Sequence, residues 1–183
     1  MKDEVILVDY NDKELGRAEK MDAHEKALLH RAFSVFLYDG RKLLLQRRAL
    51  SKYHCPGLWT NSCCSHPRPG ELTFVAAKRR MREELGSDYC TVEECFRFFY
   101  RYPFDNGLTE FECDHVFLGQ YSVHAPLAPD PEEVCECRWW DIDELRKAMT
   151  ERAGEFTPWF LICAPRVLEI IEQKLDRSRR DAQ

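Results

Sequence analysis

The sequence predicts a single α/β domain in which helices pack on a mixed β-sheet. Two observations support this fold class. Short apolar, strand-like segments occur both before and after a helix with one apolar face. The 183 residues, 44% hydrophobic and 32% charged, suffice for one buried core. No repeat or linker divides the chain, so we expect one domain over residues 1–183, with its core over about 4–175 and a frayed, solvated tail.

Composition also limits the expected partners and compartment. The net charge of −5 argues against broad nucleic-acid binding. Nine cysteines, with no export signal and no CxxC pair, predict free thiols in a cytoplasmic protein rather than disulfides or a zinc ribbon. No apolar run approaches the ~18–20 residues that a membrane span needs, so no membrane partner is expected. Nothing in the sequence requires more than a monomer.

The first predicted element is a strand over Val5–Tyr10, and a turn follows at residues 11–13. After a polar segment over 14–30, Ala32–Tyr38 and Lys42–Gln46 form a predicted hairpin. An Asp-Gly dipeptide between them is typical of a two-residue hairpin turn.

Residues 47–70 form a predicted irregular stretch, and a loop of this length in a compact domain is usually functional. A helix follows over 71–85, because its apolar residues recur at helical spacing. This stripe comprises Phe74, Ala77, Met81 and Leu85. Gly86 just beyond it is a typical helix stop.

Further predicted strands lie at 96–102, 111–121 and 136–140. A short helix is expected over Asp141–Met149. Thr157-Pro158 opens a last helical region, since Thr is a good N-cap and Pro is favoured at the first helical position. Pro165 is expected to kink or restart this helix.

Two charged pairs lie on the 71–85 helix. Arg79 and Glu83, and Arg80 and Glu84, are four residues apart and share a face. Ordinary surface salt bridges are the simpler interpretation of these pairs, and a cation-binding role for the carboxylates is the alternative.

If residues 110–114 are extended, Glu110, Glu112 and Asp114 point to one face. Such a row is destabilising unless it is solvated, as on an exposed edge strand, or holds a cation. Three histidines from separate segments could complete a site for Mg²⁺, Mn²⁺ or Zn²⁺, namely His24, His30 and His66. The other three, His54, His115 and His124, are interpreted as ordinary structural or surface histidines.

The segment NSCCSHP at 61–67 supplies a candidate catalytic thiol, since Cys64 lies in a polar loop two residues before His66. An ordinary free thiol is the alternative. Four bases would clamp a diphosphate if they converged on one pocket. They are Lys20, Arg48, Lys52 and Arg80.

These motifs carry a family resemblance. RRMREELG at 79–86 resembles the second half of the Nudix box, G-x5-E-x7-R-E-U-x-E-E-x-G, with Glu71 at its first Glu. Ser65 stands where the box has Gly, and Arg80 where it has the Glu after the Arg. Taken in order, RRALSK, PGLWTNSCCSHP, RRMREELG, YRYP, TEFE and TPWF resemble type I isopentenyl-diphosphate isomerases, from about residue 4 to 165.

The resemblance implies a Nudix-type fold of mixed β-sheets sandwiched by α-helices. It implies catalytic roles for Cys64, Glu112 and Tyr100. It implies a metal site that takes Mn²⁺, Zn²⁺ or Mg²⁺ and is formed by His24, His30, His66, Glu110 and Glu112. Glu84 would bind a second ion, Mg²⁺, that bridges to the substrate diphosphate. Substrate-binding positions are Lys20, Arg48, Lys52 and Arg80 for the diphosphate and Trp159 for the hydrocarbon.

The implied reaction, a step of isoprenoid biosynthesis, is the reversible isomerisation of isopentenyl diphosphate to dimethylallyl diphosphate. It proceeds by protonation and deprotonation through a tertiary carbocation. Cys64 and Glu112 would act on opposite faces of the substrate, with Glu112 and Tyr100 preferred as the protonating side.

Two alternative functions remain at this point. Glu83 and Glu84 would allow a Nudix hydrolase of a nucleoside diphosphate derivative, although Arg80 argues against it. An inactive Nudix fold serving as a binding module is the other alternative, and the intact Cys64 and Glu112 argue against that.

Overall fold

A nine-stranded mixed β-sheet is the frame of the protein in the computed structural model, which describes residues 3–88 and 90–181. Its strands are β1 (Glu4–Val8), β2 (Glu14–Glu19), β3 (His30–Asp39), β4 (Lys42–Arg48), β5 (Trp59–Thr60), β6 (Cys63–Ser65), β7 (Val92–Pro103), β8 (Thr109–Gln120) and β9 (Val134–Asp141). The α-helices are α1 (Lys20–Glu25), α2 (Thr73–Leu85), α3 (Ile142–Glu151) and α4 (Pro158–Asp181). None of the helices in these ranges is long and apolar enough to cross a membrane.

Strand β3 lies at the centre of the sheet. Along one edge it pairs in parallel with β8, from His30 opposite Glu112 to Tyr38 opposite Gln120. Along the other edge it pairs antiparallel with β1, β6 and β4. Strand β7 continues the sheet beyond β8, and β9 continues it beyond β4. The β3–β8 pair makes the sheet mixed, as expected.

Helices cover both faces of the sheet. Alternate residues of β3 point to opposite faces, and the residues on each face are buried under a helix. Phe33 and Leu37 pack with Met81 of α2 in one core. Phe36 packs with Phe160 of α4 in the other. The predicted α/β class with helices on a mixed sheet is therefore confirmed.

Most predicted elements are present, with somewhat different ends. The hairpin pairs Leu37 with Leu44, and its Gly40 has a positive φ of 53°. The three later strands are longer than predicted, although β8 ends one residue earlier, and helix α3 begins after Asp141, whose side chain accepts a hydrogen bond from the Asp143 N–H. All nine cysteines are free, as expected.

Four details differ from the sequence-based expectations. The polar segment 14–30 contains β2 and α1, and the irregular stretch contains β5 and β6. Phe74 is 51% exposed, because it lies in the first turn of α2, and buried Ala76 takes its place in the stripe. Helix α4 passes through Pro165 without restarting. Residues 176–181 of the predicted tail are exposed and continue α4, and the rest of that tail lies outside the described residues.

Gly86 ends α2 in the left-handed conformation, with φ of 68°, and its N–H donates to the Arg82 carbonyl. A Cβ at this position would lie 2.6 Å from the Ala128 carbonyl oxygen, which is closer than real contacts allow. Backbone and steric strain therefore both oppose any side chain here.

We expect Gly86→Ala to lower the free energy of unfolding by at least about 1–2 kcal/mol, the cost of forcing a side chain into this conformation. Urea denaturation measures the change. Gly154→Ala is the control, since an added Cβ there meets nothing within 4 Å among the described residues. Equal stability of the two variants would contradict the assignment of Gly86 as a strained helix stop.

Candidate active site

Strand register gathers the polar side chains on one face of the sheet. Residues directly opposite each other on paired strands share a face, and so do alternate residues along a strand. His30 is opposite Glu112, Ser34 is opposite Cys64, and Tyr100 is opposite Glu112. The residues that this alternation places on the same face are His30, Ser34, Cys64, Tyr100, Glu110, Glu112 and Asp114.

Three histidines and two glutamates converge on this face, with one ligand atom from each lying within 4.8 Å of the others. Nε2 of His24, from α1, is 3.0 Å from Oε2 of Glu110. Nε2 of His66, just after β6, is 2.9 Å from Oε1 of Glu112. His30 Nε2 is 3.6 Å from the same oxygen. The side chains that the family resemblance assigns to a metal site thus lie together, and the exposed edge-strand alternative for residues 110–114 is wrong, because β8 lies between β3 and β7.

The chemistry of this cluster fits a divalent cation. Nε2 of His24 and Oε2 of Glu110 are buried and have no hydrogen-bond partner among the described residues, although they lie 3.0 Å apart. Burying polar atoms without partners costs free energy that a bound cation would recover. A set of imidazole and carboxylate donors suits Mn²⁺, Zn²⁺ or Mg²⁺.

Protonation states in the cluster favour metal binding. Burial would raise the pKa of Glu110, but the nearby His24 and His54 outweigh it and hold the pKa well below its usual value. Burial and Glu110 oppose ionisation of Glu112, yet His30 and His66 keep its pKa below normal. Burial lowers the pKa of His66 to about 4, so its ring is neutral at neutral pH. Both carboxylates and this imidazole are therefore in their metal-binding forms.

Cys64 and Glu112 approach the cleft from opposite edges of β3. Cys64 pairs with β3 along one edge through β6, whereas Glu112 pairs along the other through β8. The Tyr100 O–H donates to Oε2 of Glu112 at 2.7 Å. Burial raises the pKa of the Cys64 thiol to about 12, so the thiol carries its proton at neutral pH. A thiol and a carboxylate therefore flank one cavity.

Asp114 continues the carboxylate row into the cleft. The Ser34 hydroxyl donates to its Oδ2 at 2.8 Å. Burial and the negative charge of Glu112 raise its pKa well above the usual value. The raised pKa favours the neutral form of Asp114, which would remove one charge from a crowded row.

The four bases line the same cleft as Cys64 and Glu112. Arg80 donates through Nε to Oε1 of Glu84 at 3.0 Å and lies 3.2 Å from Glu133. Lys52 also pairs with Glu133. Gln46 donates to the other oxygen of Glu84 at 2.9 Å. Glu84 is thus 2% exposed inside a polar network, and the surface salt-bridge interpretation fails for it.

Trp159 forms an apolar wall of the cleft at the start of α4. Its Nε1–H donates to Oγ1 of Thr60 at 3.0 Å, which holds the ring in place. The Arg48 guanidinium lies 5.3 Å from the centre of the indole ring. An aromatic face and a cationic group therefore adjoin in one cavity.

Sequence reasoning missed two residues of the site. His54 was interpreted as an ordinary histidine, but its Nε2 lies 2.8 Å from Oε1 of Glu110. Glu133 joins Lys52 and Arg80. Neither belongs to a motif, and both lie in segments between strands, so only the tertiary structure could bring them to the site.

A second group of metal-ligand side chains lies outside the cleft and consists of Asp12, Cys113 and His115. Arg31 donates to the Asp12 carboxylate at 2.7 Å, and Arg97 donates to it at 3.1 Å. Two guanidinium groups neutralise this carboxylate and would repel a cation. We interpret this group as an ion-pair network that ties the β1–β2 turn to the sheet.

Comparison with known proteins places the chain among characterised families. The model of the NUDIX domain matches residues 28–160. "Isopentenyl-diphosphate Delta-isomerase 2" of Aromatoleum aromaticum is 47% identical over 169 residues, which cover 92% of this chain and 88% of that protein. "Isopentenyl-diphosphate Delta-isomerase 1" of the same organism is 46% identical over 180 residues, covering 98% and 99% of the two chains.

Solved structures resemble the fold at lower identity. A crystal structure from Deinococcus radiodurans matches with a TM-score of 0.67 at 22% identity, covering 93% of this chain and 98% of that chain. A NUDIX-family hydrolase from Clostridium perfringens matches with a TM-score of 0.55 at 14% identity, covering 76% and 96%. These two likenesses establish the fold alone.

We expect Mn²⁺ at about 100 times its Kd to raise the melting temperature of the chelator-treated protein by about 5–10 °C, since binding of this strength adds about 2.7 kcal/mol. Glu110→Gln should abolish the shift, and the exposed Glu151→Gln should keep it. Glu112 raises the pKa of His30 despite burial. As pH falls through this raised pKa, His30 takes up a proton and no longer binds a metal ion, so the increase in melting temperature should shrink. A shift that survives in Glu110→Gln would place the ion elsewhere.

Proposed function

The chain belongs to the NUDIX family and, within it, to the isopentenyl-diphosphate Delta-isomerases, and we propose how its side chains carry out their reaction. The enzyme interconverts isopentenyl diphosphate and dimethylallyl diphosphate. One observation carries the proposed mechanism. A thiol and a glutamate, both capable of proton transfer, reach one cleft from opposite edges of β3, beside a cluster of bases and an aromatic wall.

The reaction adds a proton to one carbon of the substrate and removes another proton two carbons away. An unactivated alkene is a weak base, so the step requires a well-placed acid and exclusion of water. Holding the diphosphate at a distance from the reacting carbons positions the double bond between the two groups. The cleft must therefore bind an anionic head and an apolar tail separately.

We propose that the diphosphate is bound by Lys20, Arg48, Lys52 and Arg80. Arg80 and Lys52 already pair with carboxylates, chiefly Glu84 and Glu133. Phosphate oxygens would replace part of these ion pairs, and a guanidinium fork suits two such oxygens at once. Glu84 would hold the Mg²⁺ that accompanies the diphosphate, since its carboxylate lies inside the same network.

The His/Glu cluster would hold a divalent cation through His24, His30, His66, Glu110 and Glu112. When bound, the cation supplies positive charge that fixes Glu112 and adjusts its acidity. The Tyr100 O–H donates a hydrogen bond to Oε2 of the same carboxylate. We propose Mn²⁺, Zn²⁺ or Mg²⁺ here, the ions that this donor set suits.

Cys64 and Glu112 are the proposed proton-transfer groups. Their approach from opposite edges of β3 lets one act on each face of a flat alkene lying between them. Since the reaction is reversible, each group donates in one direction and accepts in the other. The sequence-based preference makes Glu112, with Tyr100, the donor on the way to dimethylallyl diphosphate.

Cys64 and Glu112 can share their protons in two ways, and the total number of protons on the pair is the same in both. In one, Cys64 is a thiol, which burial favours, and Glu112 is a carboxylate, which His30 and His66 favour. In the other, the proton has moved to Glu112, which pairs a stronger acid with a stronger base. Because the two forms are tautomers, a pH–rate profile cannot separate them. Hydrogen exchange in single variants can.

Trp159 is proposed to stabilise the tertiary carbocation. Its indole is 3% exposed and held by Thr60, so its face is fixed and shielded from water. A cation over an aromatic face gains about 2 kcal/mol or more when desolvated. The neighbouring Arg48 would be occupied by the diphosphate at that stage.

Hydrolysis of a nucleoside diphosphate derivative is less well supported. In this chain an arginine, Arg80, stands where the Nudix box has a glutamate, and it pairs with Glu83 and Glu84. The predicted site residues cluster within one chain, so the proposed reaction needs no residue from a second subunit.

We expect Cys64→Ala and Glu112→Gln each to lower turnover of isopentenyl diphosphate by at least about 100-fold, because each removes a proton-transfer group. Proton NMR in D₂O with Mg²⁺ measures both product formation and deuterium entry. Cys135→Ala is the matched control, since that thiol is exposed and outside the cleft. Near-normal turnover by either variant would refute the proposed pair.

Deuterium exchange in these variants also assigns the direction. If Glu112 donates, Cys64→Ala still protonates the alkene reversibly, so deuterium enters C4 of recovered isopentenyl diphosphate without product. Glu112→Gln should then show no exchange, with its metal content measured alongside. Exchange in Glu112→Gln but not in Cys64→Ala would make Cys64 the donor.

We expect Lys52→Met to raise KM for isopentenyl diphosphate by about tenfold or more, since a hydrogen bond to a charged group contributes about 1.5–3 kcal/mol. The effect on kcat should be smaller, because Lys52 would bind the diphosphate and not the reacting carbons. Steady-state kinetics measure both constants. The exposed Lys42→Met is the control, and an unchanged KM in Lys52→Met would exclude Lys52 from the diphosphate site.

A further inference from the structure

His54 contacts all three parts of the proposed site, although no motif includes it. It lies in the loop between β4 and β5, and it is 8% exposed. Its Nε2 is 2.8 Å from Oε1 of Glu110. Its ring packs edge-on against Trp159 with centroids 5.7 Å apart, and lies 5.1 Å from the Phe104 ring.

The two oxygens of Glu110 face different partners. Oε2 lies 3.0 Å from Nε2 of His24 and 4.0 Å from Nε2 of His30, on the side where the ligand atoms converge. This oxygen has no hydrogen-bond partner among residues 3–88 and 90–181. Oε1 faces His54 instead. One oxygen is thus free for a cation, and the other is held by an imidazole outside the cluster.

We propose that His54 is the positioning residue for Glu110. An N–H at Nε2 would hold Oε1 and so present Oε2 to the cation. This inference rests on the proposed metal site of His24, His30, His66, Glu110 and Glu112. Groups that hold a metal ligand in this way typically contribute 10–100-fold to metal affinity.

The backbone of His54 also contacts the part of the cleft where the diphosphate would bind. Its carbonyl accepts hydrogen bonds from Nε of Arg48 at 3.4 Å and from Nη2 at 3.2 Å. The Arg48 guanidinium in turn lies over Trp159. The residue therefore joins the metal ligand Glu110, a proposed diphosphate base and the apolar wall.

The contact pattern favours positioning over direct ligation. His54 Nε2 does not belong to the set of atoms within 4.8 Å of one another. Its ring centroid is 6.2 Å from that of His24, whereas the His24, His30 and His66 rings lie 4.9–5.8 Å apart. The carboxylate of Glu110 stands between His54 and the converging atoms.

Two variants separate the N–H from the shape of the ring. His54→Phe keeps an aromatic ring against Trp159 and Phe104 but removes the N–H. His54→Gln places an amide N–H near the original Nε2 position. The exposed His124→Gln is the control. Each chelator-treated protein is titrated with Mn²⁺ by electron paramagnetic resonance and with Co²⁺ by visible absorption, and kinetics are measured at saturating Mg²⁺ with added Mn²⁺.

We expect His54→Phe to weaken Mn²⁺ binding about 10–100-fold, with turnover restored by excess Mn²⁺ and KM for the substrate little changed. His54→Gln should recover most of the affinity, and the Co²⁺ spectrum at saturation should match that of the unmodified chain. If His54→Phe does not fold, the Mn²⁺ affinities of His54→Gln and His54→Ala are compared instead, since these two variants also differ in the N–H.

Two results would overturn the inference. Unchanged Mn²⁺ affinity in His54→Phe would show that the N–H does not position Glu110. An altered Co²⁺ spectrum at saturation in both variants would show that His54 is itself a ligand. Failure of the proposed metal site itself is recognised separately. In that case the unmodified chain would bind no Mn²⁺, or its Mn²⁺ binding would persist in Glu110→Gln.

Discussion

The parallel pairing of β3 with β8 is the constraint on which the site depends. Its register sets His30 opposite Glu112 and places alternate carboxylates of β8 on the same face, away from bulk water. Buried carboxylates at this spacing repel one another and lose their hydration. Imidazoles beside Glu110 and Glu112 reduce this cost, as does the raised pKa of Asp114, which favours its neutral form, and a divalent cation would reduce it further. The same arrangement that costs the fold free energy brings the proposed metal ligands together.

Charge is divided across the cleft in a way that suits one kind of substrate. Glu110, Glu112 and Asp114 lie on β8, whereas three of the bases lie on other elements, with Arg48 at the end of β4, Lys52 in the loop that follows and Arg80 on α2. Between them lie Cys64 and the indole of Trp159. A diphosphate ester with a short hydrocarbon chain would suit both halves, since its head would neutralise the bases and its tail would reach the thiol, Glu112 and the aromatic wall. The replacement of a Nudix-box glutamate by Arg80 contributes to this division, because it adds a base where hydrolases carry an acid.

The proposed reacting and binding groups are held by hydrogen bonds from other elements of the fold. Gln46 holds Glu84, Thr60 holds Trp159, and Tyr100 holds Glu112. His54 is proposed to hold Glu110 from a loop. Groups secured in this way lose little conformational freedom when a substrate binds, which is how a buried site favours one transition-state geometry.

Sequence alone determined the fold class, the hairpin, helix α2 and its stop at Gly86, because these depend on local periodicity and turn chemistry. It also identified the histidines, carboxylates, Cys64 and four bases, through motif spacing and a family resemblance. Tertiary structure alone decided that β8 is a central strand and that α4 continues through the exposed Pro165. It alone brought His54 and Glu133 to the cleft, since both belong to segments without periodicity whose positions depend on long-range contacts. Local sequence specifies how each segment folds, but strand register and packing decide which side chains meet.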